Sequence, residues 1–515
     1  MNPTDYWPES LPQYPSSIWR ETTEIPAFPR LTEDHRTEVA IVGGGITGIT
    51  AAYLLAEAGL KVTLLEGSEL FSGTTGFTTA KITAQHGLIY EELISHFGEE
   101  KARQYYDSNT EAMKWIIDTA ERLGAECGLV RESAWLYADQ GDDKTLKKLE
   151  KEFEAYRKLG LPGEWRDSID LPLLAGGAIV LPDQARFHPL QYLKALLQAF
   201  LDKGGKVYEH TMIGEKVEKG DDLILFTEKG DHRIICRHAI SASHFPFYDG
   251  GSLYFARLHA ERSYALAIEP ETDYVGGMYL GAGEPTRSFR AVEWEGKKLV
   301  IVGGDNHKTG QGICTIGHYE NLELFAGSTL GIRSVPYRWS AQDLVTVDKV
   351  PYIGKMDDDA NIYVATGFAK WGMTNGTLAA RMIAQQILGE KSPYAELYDP
   401  SRIKANPGIK NLIKENANVA KELVAGKIGF AHAKVDELEP GEGAVVRHDG
   451  KRVGAYKDPE GGLHLVDRTC THMGCECEWN AAERSWDCPC HGSRFSYTGE
   501  VLEGPATQPL KQVEP

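Results

Sequence analysis

The sequence predicts an α/β chain that ends in a small all-β domain. Three observations carry that reading. Between Glu38 and Glu66 a β-branched run, a glycine turn, a helical stretch and a second apolar run follow one another. From about Gly426 onward the residues read as short strands and turns, and five of the eight cysteines crowd between Cys470 and Cys490. The 515 residues suffice for two to four domains with large cores, and 42% hydrophobic with 25% charged residues is an ordinary globular composition.

Charge excludes one class of partner. Against 55 Lys and Arg stand 74 Asp and Glu, a formal −19. Nothing supplies the basic footprint that phosphate backbones require, so no nucleic-acid partner is expected. The most apolar stretch, Val39 to Leu60, is interrupted by glycines and Glu57, which argues against a membrane span. The first residues lack a basic and an apolar export region, so a cytoplasmic location is expected. In a reducing compartment the cysteine cluster reads as metal or redox chemistry rather than a disulfide scaffold.

Taken in order, residues 1–36 are rich in Pro, Trp and Tyr and read as an N-terminal arm packed on the surface. Glu38 to Val42 is a strand, Thr47 to Ala58 a helix and Lys61 to Glu66 a second strand, together a βαβ unit. Residues 90–205 read as mainly helical, for example Glu111 to Leu123 and Thr145 to Leu159. Residues 207–345 alternate strands and turns, as at Lys297 to Gly303. A strand over Asn361 to Thr366 leads through glycines to a helix at Thr377 to Leu388. Lys391 to Asn406, with three prolines, reads as a linker and is followed by an amphipathic helix near Ile409 to Ala425.

Gly43-Gly44-Gly45-Ile46-Thr47-Gly48 fits G-x-G-x-x-G in its required setting, after a buried strand and at the start of a helix. Gly43 permits the tight turn, Gly45 lets backbone approach a pyrophosphate, and Gly48 lets the helix pack on the strand. Glu66, closing the second strand, would accept from an adenosine ribose, and a 2′-phosphate would be repelled there. A glycine turn in an ordinary α/β protein is the plain structural alternative.

The run Thr366-Gly367-Phe-Ala-Lys-Trp-Gly372-Met373-Thr374-Asn-Gly376 decides between NAD and FAD. With Ser72 to Lys81 and Asp348-Lys-Val-Pro-Tyr-Ile-Gly354, it resembles the D-amino acid oxidase and glycine oxidase superfamily. The resemblance covers roughly 37–390. It implies a Rossmann-like FAD-binding domain with an antiparallel-sheet substrate domain, the FAD-binding parts lying near 37–90, 180–245 and 340–390. By the same resemblance FAD, bound non-covalently, would be held by Gly43, Gly45, Thr47, Gly48, Glu66, Thr75, Thr79, Gly367, Gly372, Met373 and Thr374. The second helix N-terminus would face the flavin pyrimidine carbonyl.

One departure bears on substrate. Amino-acid-oxidising relatives often carry W-x-G-x-R, whose Arg grips a carboxylate, whereas here the run is Trp339-Ser-Ala-Gln-Asp343. A cationic amine with Asp343 near its charged end is one expectation, and a solvated surface Asp is the other. Lys81 could bridge a water near the reactive ring nitrogen or form a surface salt bridge. Arg262, Arg338 and His307 are further pocket candidates, and Cys236 and Cys314 read as buried thiols.

Cys470-Thr-His472 and Cys488-Pro-Cys490-His491, 15 residues apart, present one Cys and one His on each of two short loops. A mixed zinc site would use the same four ligands. The accompanying Gly-Cys, Pro-Cys and Gly-Ser elements instead resemble the Rieske ferredoxin fold over about 426–515. That resemblance implies a [2Fe–2S] cluster held by Cys470, His472, Cys488 and His491, with a potential of roughly −150 to +300 mV. It further implies a disulfide between Cys475 and Cys490, a hydroxyl donor at Ser493 and no role for Cys477. Phe495 stands where cytochrome bc relatives place a Tyr donor, which should lower the potential. No mononuclear iron triad accompanies the cluster motif, so an aromatic-ring dioxygenase is not expected.

The organisation expected is an arm (1–36), a flavin-dependent oxidoreductase domain (37–390), a linker and helix (391–425) and a Rieske domain (426–515). The two resemblances together imply oxidation of a C–N bond in a small-molecule amine or amino acid, with electrons leaving through the cluster to a one-electron acceptor. Entry of electrons from a one-electron donor through the cluster, or a redox sensor without amine turnover, are the alternatives.

Overall fold

The computed structural model describes residues 10–294, 296–312, 315–357, 360–402, 415–423 and 434–514. Val39–Val42 and Val62–Leu65 are buried at every position, as strands covered on both faces must be. They are the centre of a six-stranded sheet in the order Tyr352–Asp357, Ala360–Thr366, His238–Ser241, Val39–Val42, Val62–Leu65, Lys206–Tyr208. All neighbours are parallel except the first pair. The Ile46–Glu57 helix returns the chain over one face and packs on the Gly372–Ile387 helix.

The segment 90–205 departs from its expected helical character. It holds helices, including Glu99–Arg122 and Asp143–Leu159, but also the long strands Val130–Asp139 and Ala175–Arg186. Those strands pair with each other and join a nine-stranded sheet whose other members lie mostly between 258 and 346. Their partners are too distant in sequence for periodicity to reveal, and tertiary pairing overrides local propensity.

In that sheet Leu258–Pro270 lies between Lys297–Lys308 and Ile332–Thr346, antiparallel to both. These strands form one wall of the site described below.

Three further expectations change. The arm is not merely a surface covering: Trp19 is fully buried and donates to the Thr78 carbonyl at 2.7 Å. The helix expected at Thr377 starts five residues earlier, at Gly372, because the glycines that read as a turn form its first turn. The segment read as a linker is anchored where it is described. Leu397 and Tyr398 are buried, and the Arg402 guanidinium takes both Asp348 carboxylate oxygens at 2.9 Å. Residues 415–423 are helical, and the rest of the expected 409–425 helix lies outside the described residues.

The C-terminal region is all β. Gly443–His448, Lys451–Lys457, Leu463–Val466 and Gln512–Val513 make one four-stranded sheet. Glu478–Asn480, Ser485–Asp487, Arg494–Ser496 and Val501–Glu503 make another. Trp486 and Phe495 fill the core between the two cysteine-bearing loops. Among the described residues no helix is long and apolar enough to cross a membrane.

Candidate functional site

A cavity of about 1270 Å³ lies between the end of the parallel sheet and the nine-stranded sheet. The turn after Val42 forms its floor. Gly43 has φ +111, and a Cβ there would lie 2.4 Å from the Ala242 carbonyl oxygen. At Gly48 a Cβ would stand 1.9 Å from the Gly43 oxygen, and at Gly45 one would stand 2.9 Å from Thr75 Oγ1. Glycine is therefore required for the tight packing of this turn, which leaves bare backbone at Gly43, Gly44 and Gly45 along the cavity. Glu66 closes one end, its carboxylate accepting from Gly44 N at 2.7 Å and Ser68 N at 2.9 Å. Thr75 Oγ1 accepts from Ile46 N at 3.1 Å, and Thr79 also lines the wall.

The Gly372–Ile387 helix meets the same cavity with its N-terminus, where Gly372 and Met373 line the wall. The first N–H groups of a helix lack internal partners and carry partial positive charge. Thr47 lies against Gly376, so the two helix starts converge. Gly367, at φ +76, packs against Thr346. Thr374 turns aside, its hydroxyl 3.2 Å from His86 Nε2. This arrangement of two helix N-termini, a side-chain-free turn and a carboxylate fits an elongated anionic dinucleotide.

The titratable residues of the cavity sort differently from the sequence expectation. Asp343 is buried rather than solvated, and it lines the cavity. Burial pushes its carboxyl up to about 6, against the pull of the Lys370 ammonium 3.6 Å away. Lys370 lies equally 3.6 Å from Glu261. Burial raises the Glu261 carboxyl, but His259 and Lys370 beside it bring it down to about 2. Lys81 makes no surface salt bridge; its ammonium donates to the Tyr279 carbonyl at 3.0 Å. Burial, with help from Arg290, lowers Lys81 to about 7.

Three pocket candidates are placed elsewhere. His307 stands behind the wall, stacked on His318 at 4.4 Å and 2.9 Å from the Tyr264 hydroxyl. Arg262 donates to Ser340 and pairs with Glu503, while Arg338 donates to the carbonyls of Pro12, Gln13 and Ala482. Both face the C-terminal region. Cys236 is buried as expected, and Cys314 lies outside the described residues.

Sequence reading missed His86 and Lys370. His86 lines the cavity, stacks on Trp371 at 4.6 Å and lies 2.7 Å from the Tyr105 hydroxyl. Burial drives its imidazole down to about 3, so it is neutral. No motif marks His86, whereas Lys370 sits inside the glycine run and its position alone could have drawn attention.

In the C-terminal region two tight loops face each other. Gly474 N donates to the Cys470 carbonyl at 2.9 Å, and Gly492 N to that of Cys488 at 3.1 Å. The sulfurs of Cys470, Cys477 and Cys488 all lie within 4.8 Å of one another. The His472 and His491 ring centroids are 4.9 Å apart, and both Nδ1 atoms are buried without a hydrogen-bond partner. Buried polar atoms left unpaired are rare. Two thiols and two unpaired imidazole nitrogens on facing loops fit a two-iron cluster. Cys475 and Cys490 are joined as a disulfide, 1.97 Å between sulfurs, tying the loops together. Cys477, without a role in the sequence reading, is the third thiol of the group.

Comparison with known proteins agrees with these two centres. The family described as FAD dependent oxidoreductase matches residues 38–386, and the Rieske [2Fe-2S] domain matches 430–514. YhfW of Bacillus subtilis, described as a Rieske 2Fe-2S iron-sulfur protein, is 47% identical over 501 residues, covering 97% of this chain and 98% of its own. The gamma-glutamylputrescine oxidoreductase of Escherichia coli is 23% identical, over 72% of this chain and 87% of its own. The fold is similar to that of glycine oxidase from Geobacillus kaustophilus, with a TM-score of 0.60 at 19% identity, covering 72% of this chain and 99% of that one.

Proposed function

For a chain that belongs to the FAD-dependent oxidoreductase family and ends in a Rieske [2Fe-2S] domain, we propose that the reaction is oxidation of a C–N bond in a small cationic amine or amino acid. The electrons would pass to the cluster and then to a one-electron carrier. FAD supplies acceptance of an electron pair, and a Rieske cluster supplies acceptance of single electrons. FAD would lie along Gly43, Gly45, Thr47, Gly48, Glu66, Thr75 and Thr79, with its ring near Gly367, Gly372, Met373 and Thr374. Cys470, His472, Cys488 and His491 would hold the cluster.

The observation that carries the reading is that the cluster loops and the cavity share one wall. Trp339, Ala341, Asp343 and Val345 of the Ile332–Thr346 strand line the cavity, and Gln342 between them hydrogen-bonds to Gly492 beside His491. A two-electron site and a one-electron site so placed suit stepwise draining of a substrate.

Within the cavity, Glu261, Lys370 and Asp343 carry a net negative charge when both acids are ionised. That favours a substrate ammonium, and the relative named gamma-glutamylputrescine oxidoreductase fits an amine substrate. Neutral His86 can hold or orient a proton donor without adding charge. Burial of Asp343 strengthens its contact with Lys370. The work would take place in the cytoplasm.

An anaerobic screen tests this. Holoenzyme is mixed with amines, amino acids and N-methylated compounds while flavin absorbance and the cluster's electron paramagnetic resonance are followed. Bleaching followed by a Rieske signal supports the reading. Bleaching without cluster reduction removes the proposed path. Failure of every compound to bleach, with a chemical reductant filling the cluster before the flavin, would reverse the direction of electron flow.

A further inference from the structure

Strand alternation divides the shared wall into two chemically distinct faces. In a strand, successive side chains point to opposite sides. On Ile332–Thr346, Trp339, Ala341 and Asp343 line the cavity. The intervening residues turn to the Rieske domain. Arg338 donates to the Ala482 carbonyl at 3.1 Å, Ser340 accepts from Arg262, and Gln342 Nε2 donates to the Gly492 carbonyl at 2.9 Å. On the neighbouring Leu258–Pro270 strand Glu261, Ser263 and Ala265 line the cavity, as does Tyr264, while Arg262 reaches at 3.2 Å to Glu503, through which the Rieske region itself borders the cavity.

The docking combines buried polar groups with close apolar contacts. Arg262 and Gln342 are 1% and 0% exposed. Tyr319 donates to Glu483 at 2.7 Å, and Gln311 to the Pro489 carbonyl at 3.2 Å. A Cβ on Gly492 would lie 2.4 Å from Ala260 Cβ, so the loop carrying His491 touches the wall directly. The Phe255 ring lies 5.9 Å from that of His491 and 6.2 Å from that of His472. Separating such a face would exchange its ion pairs and hydrogen bonds for water, each worth about 0.5–1.5 kcal/mol net, and would also give up the close packing at Gly492.

Gln342 links the two sides. Its main-chain carbonyl accepts from Thr74 Oγ1 at 2.8 Å in the loop that lines the cavity, and its side chain holds Gly492. We propose that the Rieske domain is a fixed rather than swinging electron acceptor, and that Gln342 is the positioning residue that sets its His491 loop one strand away from the cavity. This rests on the electron path proposed above. In each transfer the reduced flavin loses one electron and the oxidised cluster gains one. A one-electron carrier then reoxidises the cluster before the second transfer.

The test uses the holoenzyme after flash photoreduction of its flavin, reading redistribution of the electron to the cluster. In the wild type the rate is expected to be independent of glycerol-raised viscosity; a rate that falls in proportion to viscosity would overturn fixed docking. In Gln342→Leu the rate is expected to fall roughly tenfold or more, as small misplacements of reacting groups do. The cluster's g values and midpoint potential should stay unchanged, and amide hydrogen exchange across 488–494 should accelerate. Faster exchange with an unchanged transfer rate would make the bond merely structural and overturn the role of Gln342. Retention of rate in Gln342→Asn but not in Gln342→Leu would support it. No redistribution in the wild type would overturn the electron path itself, an outcome distinct from the other two.

Discussion

The carboxylate of Asp343 and the ammonium of Lys370 face each other at 3.6 Å on the cavity wall, and Glu261 shares the same cation at the same distance. Two acids on one base leave the trio neutral when Asp343 is protonated and negative when it is ionised. With Asp343 pushed up to about 6 and Glu261 held at about 2, the change falls near pH 6.

For a cationic substrate, KM is therefore expected to fall by roughly tenfold as pH rises from 5 to 7.5, the worth of about 1.4 kcal/mol. In Asp343→Asn this pH dependence should shrink to the part set by Lys81, which also lines the cavity and is lowered to about 7. Equal KM values for the wild type at both pH values would dismiss the electrostatic role of Asp343.

The same group affects stability. Its folded carboxyl is raised above the unfolded value of 3.8, so its contribution is fully present below about pH 3.8 and is lost as pH rises through about 6. Asp343→Asn should thus be at least as stable as the wild type at pH 7.5, by up to about 3 kcal/mol. Denaturant unfolding at pH 4 and 7.5 measures the difference, and a variant markedly less stable at pH 7.5 would contradict it.

Gly48→Ala tests the dinucleotide cradle. The added methyl would meet the Gly43 carbonyl at 1.9 Å, backbone that cannot yield without moving the turn. Strain of about 1–3 kcal/mol corresponds to flavin binding weakened roughly 10- to 100-fold. Flavin content and fluorescence titration report it. Full flavin occupancy with wild-type affinity would show that the turn does not hold the cofactor.

Cys475→Ser opens the disulfide to Cys490, which closes a sequence separation of 15 residues. A loop of that size contributes about 3 kcal/mol. The variant's Rieske region is expected to unfold at lower denaturant and its cluster to bleach sooner, with flavin absorbance unchanged. Wild-type protein treated with reductant should behave like the variant. A cluster lifetime unaffected by either treatment would leave the bridge without a protective role.

Phe495 is fully buried in the core of the cluster domain. Phe495→Tyr should raise the midpoint potential of the cluster, because a hydroxyl donated to electron-rich sulfur stabilises the reduced form. Redox titration followed by electron paramagnetic resonance decides it. A potential that stays or falls would mean that the new hydroxyl points elsewhere.

The parts of the site that were legible in sequence are those whose chemistry is packed into a short span. Gly43 to Gly48 must follow a buried strand and open a helix, and that strand and helix are written beside it. Cys470-Thr-His472 and Cys488-Pro-Cys490-His491 place one Cys and one His on each of two short loops by spacing, and the resemblance to the Rieske fold then implies the cluster. The strands Val130–Asp139 and Ala175–Arg186 were read as helical surroundings because their pairing partners lie elsewhere in the chain. The start of the second helix was set five residues late, since Gly372 and Gly376 look like a turn until Thr47 packs against Gly376.

The amino-acid sequence by itself marked where two centres lie, because glycine turns and ligand spacings are local constraints that survive without knowledge of the fold, and its resemblance to two families supplied the cofactors. Tertiary structure alone decided that Lys370 balances Asp343 and Glu261, that His307, Arg262 and Arg338 stand outside the cavity, and that Gln342 holds Gly492. Those relationships arise from register between strands and from which face each side chain takes. A one-residue shift in pairing would exchange the faces of Gln342 and Asp343, and no short-range pattern encodes that choice.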